Sequence, residues 1–279
     1  MEHIIETYKN QDIFLVGALD SLGVPYTIDN NKMKSFVELT ADLLRRKGLN
    51  IIDCNLCSLG RNKTWELEKV LQRNYTIGTY QKLNKLASQY VISGKRESED
   101  WPFPTNPNFI NRYYANPDNA SLFITSELQK NKNVIFLYSC GGMNIRDALK
   151  IKSTMNFQDC KTVAHEVTFH ACHHIQQTKL EVEHCIRYIK GLNPNMEIYV
   201  LGVYAMLDNA TLRDLVFPFV EWYNHDLKQI VAKFDHVHYV DIRKVKNMVA
   251  PNDMHPTLEG QEYISKQIVK TMNEVCKKR

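Results

Sequence analysis

Ser21 stands three residues beyond the apolar run DIFLVGA, inside the stretch FLVGALDSLGVPY. A serine hydroxyl is a poor nucleophile until a neighbouring base takes its proton. Histidine, with an ordinary pKa near ~6.5, suits that role at neutral pH, and His255 lies in APNDMHPTLEGQEYIS. Gly60 in CNLCSLGRNKT and Asn144 in SCGGMNIRD each follow another apolar run. All four residues also have plain structural readings. Ser21 suits a helix cap, Asn144 a turn and Gly60 a loop, and His255-Pro256-Thr257 suits an extended lead into a helix capped by Thr257.

These residues need elements to gather them. Five segments read as buried strands: 12–18, 49–55, 133–140, 196–204 and 235–242. Helical spacing fills the gaps. In 31–47, Met33, Phe36, Val37, Thr40, Leu43 and Leu44 share one face, and 64–72, 78–92, 173–190, 208–232 and 258–276 are similar. Pro218 is expected to kink or divide the 208–232 helix. Strands that are apolar throughout and alternate with helices imply an α/β fold with a parallel sheet covered on both faces. Such sheets bind ligands at the carboxyl ends of their strands, which is where the serine, glycine, asparagine and histidine fall. The proline- and aromatic-rich stretch 93–119 interrupts the alternation as an insertion or long loop.

The order of these blocks resembles the SGNH hydrolases, the GDSL esterase/lipase family. Asp20-Ser21-Leu22 is similar to the nucleophile block, with Leu19 where glycine is usual. Gly60 matches the second block, and Gly142 and Asn144 match the third, with Ile145 in place of its acid. His255, Pro256 and Gly260 resemble the last block. The resemblance implies a three-layer α/β/α, flavodoxin-like fold with a five-stranded, mostly parallel sheet. It implies one domain over 1–279, with additions near 75–125 and 147–172. It also implies Ser21 as nucleophile, His255 as base, and an oxyanion hole formed by the Ser21 N–H, the Gly60 N–H and the Asn144 amide. The family's acid usually stands three residues before the histidine, where this chain has Asn252. Asp253 stands two before, and the expectation here is that Asp253 orients His255. No metal and no cofactor are expected.

The implied activity is hydrolysis of a small carboxylic ester or acylated substrate. Two alternatives remain beside it. One is an acyltransferase or deacetylase tailoring a sugar or small metabolite with the same site, and the other is a catalytically silent SGNH-like binding module. Trp101 and Phe103, in DWPFPTNPNFINRYY, are expected to contact substrate from a lid, although a packed surface loop would read the same way. Cys54-Asn55-Leu56-Cys57 leaves a strand where a redox pair needs a helix N-terminus. The cluster His165, His170, Cys172, His173 and His174 lacks the spacing of a zinc helix and reads as a surface helix.

Composition narrows the classes. The 35 basic residues are nearly matched by 31 acidic ones, a net +4 that argues against a nucleic-acid partner. No apolar run approaches the ~20 residues that span a bilayer, and the first residues lack a signal-peptide pattern. Seven irregularly spaced cysteines suggest reduced thiols and a cytoplasmic protein.

Overall fold

The computed structural model describes residues 2–18, 35–55, 128–142, 144–145, 165, 171–205, 210–249 and 256–279. Among them one sheet runs through β1 (Asp12–Ala18), β2 (Asn50–Asn55), β3 (Val134–Ser139), β4 (Glu197–Leu201) and β5 (Val237–Val240). The strand order is β2-β1-β3-β4-β5, and every ladder is parallel. β3 and β4 are buried along their whole length, as the unbroken apolar runs required.

Strand ends follow the hydrogen bonds. The 196–204 run stops as a strand at Leu201. Beyond it, the Val203 N–H donates to Asn224 Oδ1 at 2.8 Å, while Asn224 Nδ2 donates to the Val203 carbonyl at 2.7 Å. A buried side-chain amide takes over from the next strand.

The helices are α1 (Glu2–Tyr8), α2 (Phe36–Arg45), α3 (Ala171–Leu192), α4 (Ala210–Val231) and α5 (Leu258–Lys277), with a 3-10 turn at Arg243–Asn247 before α5. Sequence periodicity does not reveal α1, because seven residues carry too little pattern. Only Ile4 and Tyr8 are buried there, one turn apart. Pro218 lies inside α4 without dividing it. Its ring deprives the Asp214 carbonyl of a donor, but both residues are exposed and water can serve. The expected helices 64–72 and 78–92, the segment 75–125 and most of 147–172 lie outside the described residues.

Helix placement gives three layers. The crossover from β1 to β2 carries α2, while travel in the opposite direction from β3 to β5 carries α3 and α4. Right-handed connections then place α2 on one face and α3 with α4 on the other. α5 returns to the first face, packing on α2 and α1. Its ridge of Ile264, Ile268, Val269 and Met272 is buried. α3 buries Ile175, Val182, Ile186 and Ile189. Among the described residues no helix is long and apolar enough to cross a membrane.

The amino edge of the sheet is closed by charge. Glu197, buried at the start of β4, takes His236 Nδ1 at 2.6 Å, His238 Nε2 at 2.8 Å and the guanidinium of Arg279. Burial alone would raise its pKa. The bonds from His238, Arg279 and His236 together outweigh burial and pull it down to about 2. A depressed carboxylate stabilises the fold above its unfolded pKa, near 4.5, and that contribution fades as pH falls through about 2. Glu197→Gln should therefore cost on the order of 3 kcal/mol at neutral pH. Urea unfolding across pH should show the gap from wild type closing between pH ~4.5 and ~2. A gap that stays constant there would assign the loss to packing.

Candidate active site

The direction of travel along the sheet reverses at β1, which pairs with β2 on one edge and β3 on the other. A crevice opens at such a switch point, beyond the carboxyl ends of the two strands. Ala18 is in register with Tyr138, so the chain leaves β1 and β3 side by side. After β3, Cys140, Gly141 and Gly142 are buried. Gly141 has φ +87°, and a Cβ there would lie 2.1 Å from the Tyr223 hydroxyl. Only glycine fits. The Ile145 N–H then donates to the Gly141 carbonyl at 2.9 Å, closing a helical turn that carries Asn144. Ile145 is buried. The residue that departs from the resembled family's acid is thus an apolar anchor for this turn.

Asn144 is half-buried. Its Nδ2 donates to Glu181 Oε2 on α3 at 2.8 Å. The other carboxylate oxygen, Oε1, accepts from Gln177 Nε2 at 3.2 Å, one turn earlier on the same helix. Beneath this turn, burial pushes the Tyr138 phenol well above its ordinary pKa, and Cys140 adds to the shift. Tyr138 is therefore neutral and serves as packing.

Two further segments converge from the other face. At the start of α2, the Ser35 N–H donates to the Glu38 carboxylate at 3.0 Å. The next N–H, of Phe36, donates to Gln261 Oε1 at 2.8 Å. Gln261 is fully buried in the first turn of α5. One hydrogen bond therefore ties the end of the β1–α2 connection to the start of the last helix, 225 residues away.

The chain before α5 is fixed at both ends of a short loop. Arg243 chelates Asp241 and reaches Glu221 on α4 at 2.5 Å. Arg213 donates to the Lys246 carbonyl at 2.9 Å. Val249 and Pro256 form an antiparallel bridge. The Thr257 N–H and hydroxyl both donate to the Met248 carbonyl, at 2.8 and 3.1 Å. Thr257 also caps α5 by accepting from the Gly260 N–H at 3.3 Å, as its position after Pro256 suggested. A Cβ on Gly260 would meet Pro256 at 2.7 Å and the Met248 carbonyl at 2.8 Å.

Of the expected site residues, Asn144 is described, on the turn after β3. Ser21, Gly60, Trp101, Phe103, Asp253 and His255, with Asn252, lie outside the described residues. Two residues went unnoticed in the sequence. Gln261 had a signal, as a polar residue within the apolar stripe of α5. Glu181 had none, because its partner is 37 positions away.

Neither the protein-family models nor the curated proteins contain a match to this chain. Solved structures do match. A lipase, Lip_vut3, from a goat rumen metagenome aligns at TM-score 0.53 and 12% identity, over 93% of this chain and 96% of its own. A structure described as a GDSL-like lipase, from Parabacteroides merdae, aligns at 0.51 and 12%, over 94% of both chains. The fold is that of known esterases and lipases.

The matches also include an extracellular lipase of Streptomyces rimosus, at TM-score 0.49 and 12% identity over 93% of this chain and 99% of its own. The cytoplasmic expectation is corrected, because the thiol argument behind it fails on physical grounds. Cys140, Cys185 and Cys276 are buried thiols, and buried thiols behave as small apolar residues whatever the compartment.

The Gly260 contacts give a direct test. Gly260→Ala should cost about 1–3 kcal/mol by urea unfolding, because backbone at Met248 must move to admit a methyl group. A loss below about 0.5 kcal/mol would show that the loop base yields freely.

Proposed function

We propose that the protein is an SGNH-type serine hydrolase that cleaves small carboxylic esters. The observation that carries this reading is the Phe36–Gln261 hydrogen bond, taken with the Val249–Pro256 bridge. Together they bring the flank of the Ser21 connection to the flank of the His255 loop. In the sequence Ser21 follows the end of β1 by three residues and His255 immediately precedes Pro256. Asn144 is carried by the strand next to β1. The likeness to a GDSL-like lipase supports the same reading through the fold.

In this mechanism Ser21 Oγ attacks the ester carbonyl as His255 takes its proton. Asp253 holds the imidazole tautomer and stabilises its charged form. The oxyanion accepts from the Ser21 N–H, the Gly60 N–H and the Asn144 amide, each donor being worth about 3–4 kcal/mol in the transition state. Collapse expels the alcohol, which takes the proton from His255. Water then attacks the acyl-enzyme by the same route and releases the acid. Trp101 and Phe103 contact the acyl group.

A fluorophosphonate probe should label the wild type and leave Ser21→Ala unlabelled. That variant should lose p-nitrophenyl ester hydrolysis while its melting temperature stays within about 2 °C. Hydrolysis retained by Ser21→Ala would reject Ser21 as nucleophile.

Asp253 and Asn252 are separated by rate. Only an aspartate stabilises an imidazolium by charge, so Asp253→Ala should lose at least about tenfold in kcat and Asn252→Ala much less. The opposite ranking would move the orienting role to Asn252.

A further inference from the structure

We propose that Glu181 is a positioning residue that fixes the orientation of the Asn144 amide in the oxyanion hole, an inference that rests on the ester-hydrolase reading above. Asparagine is an ambiguous donor. Its side chain can turn either an N–H or a carbonyl oxygen toward a given point, and a carbonyl facing a developing oxyanion repels it. Catalysis by such an amide requires that one orientation be imposed before reaction.

Glu181 imposes it by chemistry. An ionised carboxylate only accepts hydrogen bonds, so the group that faces Glu181 Oε2 at 2.8 Å is the Asn144 NH2. That contact sets the amide plane, and with it the direction of the second N–H. The carboxylate is itself restrained, since Gln177 donates to Oε1 from one turn away. Both residues ride on α3, whose neighbouring positions Thr178, Val182 and Cys185 are buried. On the Asn144 side, Gly141 is wedged against Tyr223 and Ile145 is buried. Both halves of the contact are thus held by packed structure.

A carboxylate beside an oxyanion also opposes the negative charge that develops there. What Glu181 contributes is therefore geometry, against an electrostatic cost, and that separates its role from general charge effects. Glutamine removes the charge and keeps an accepting oxygen but adds an NH2 that can face Asn144 instead, whereas alanine removes charge and contact together.

The test compares Glu181→Ala and Glu181→Gln with wild type by kcat and KM on p-nitrophenyl acetate. The Asn144 side-chain amide signal in 1H–15N NMR, assigned by its absence in Asn144→Asp, reads orientation independently of activity. Glu181→Ala should lower kcat by about tenfold or more with KM within about twofold, and the Asn144 signal should move. Glu181→Gln can still accept through its oxygen but no longer excludes the flipped amide, so its rate and its Asn144 signal should lie between those of wild type and Glu181→Ala. An unchanged kcat or an unmoved signal in Glu181→Ala overturns the proposal. A rise in kcat in both variants overturns it as well, because it would assign the dominant effect of Glu181 to charge. If the wild type is neither labelled by fluorophosphonate nor active on the ester, the hydrolase reading fails by itself. The NMR signal then decides whether Glu181 fixes the amide.

Discussion

A right-handed crossover lays its helix on one face of a parallel sheet for each direction of travel. β1 is the strand where that direction changes, because the chain moves from it to β2 and later returns to its free edge with β3. The rest of the architecture follows from this reversal. α2 and α5 share one face and α3 and α4 share the other, so the crevice that such a switch point creates lies beyond the carboxyl ends of β1 and β3.

The hydrophobic core supplies most of the stability, but it has no preferred register along a helix axis. Buried polar side chains supply that. Gln261 joins α5 to the first N–H of α2. Asn224 holds both backbone groups of Val203 and accepts from the Tyr239 hydroxyl at 3.0 Å. Asn193 donates to the carbonyls of Leu128 and Asn131 at 2.9 and 3.0 Å, fixing the entry to β3 against the end of α3. A buried amide with any one bond missing costs about 1–3 kcal/mol. Each of these residues therefore penalises a slipped packing more strongly than an aliphatic side chain would.

Much of the fold was legible because apolar runs and helical spacing report burial directly. β1 occupies the whole of 12–18, and α5 extends the expected 258–276 by one residue. The misses have local causes. α1 is too short to show a period, and the 196–204 run is longer than β4 because Asn224, not a strand, partners Val203. Pro218 fits within α4 where both it and Asp214, whose carbonyl loses its donor, are exposed. The candidate site was legible only as an order of residues along the chain. Position after a strand pointed to Asn144, but nothing in sequence order pointed to Glu181 or to the pairing of Phe36 with Gln261, which exist only across packed elements.

The two ends of the sheet are built on opposite principles. At the amino end, Glu197 is saturated by His236, His238 and Arg279, and the last residue of the chain is drawn onto the start of β4. Three side chains converging on one buried carboxylate tie the starts of β4 and β5 to Arg279 beyond α5. At the carboxyl end the described groups are glycine backbone, an amide and a half-buried carboxylate, held from behind by Tyr223, Ile145 and α3. The glycine N–H groups and the amide can donate to charge that appears only during a reaction, provided they do not reorganise when it appears, while the carboxylate accepts from the amide. Rigidity is therefore needed at both ends. At one end it completes the fold, and at the other, under the proposed hydrolase mechanism, it keeps donors waiting for an acceptor that the ground state lacks.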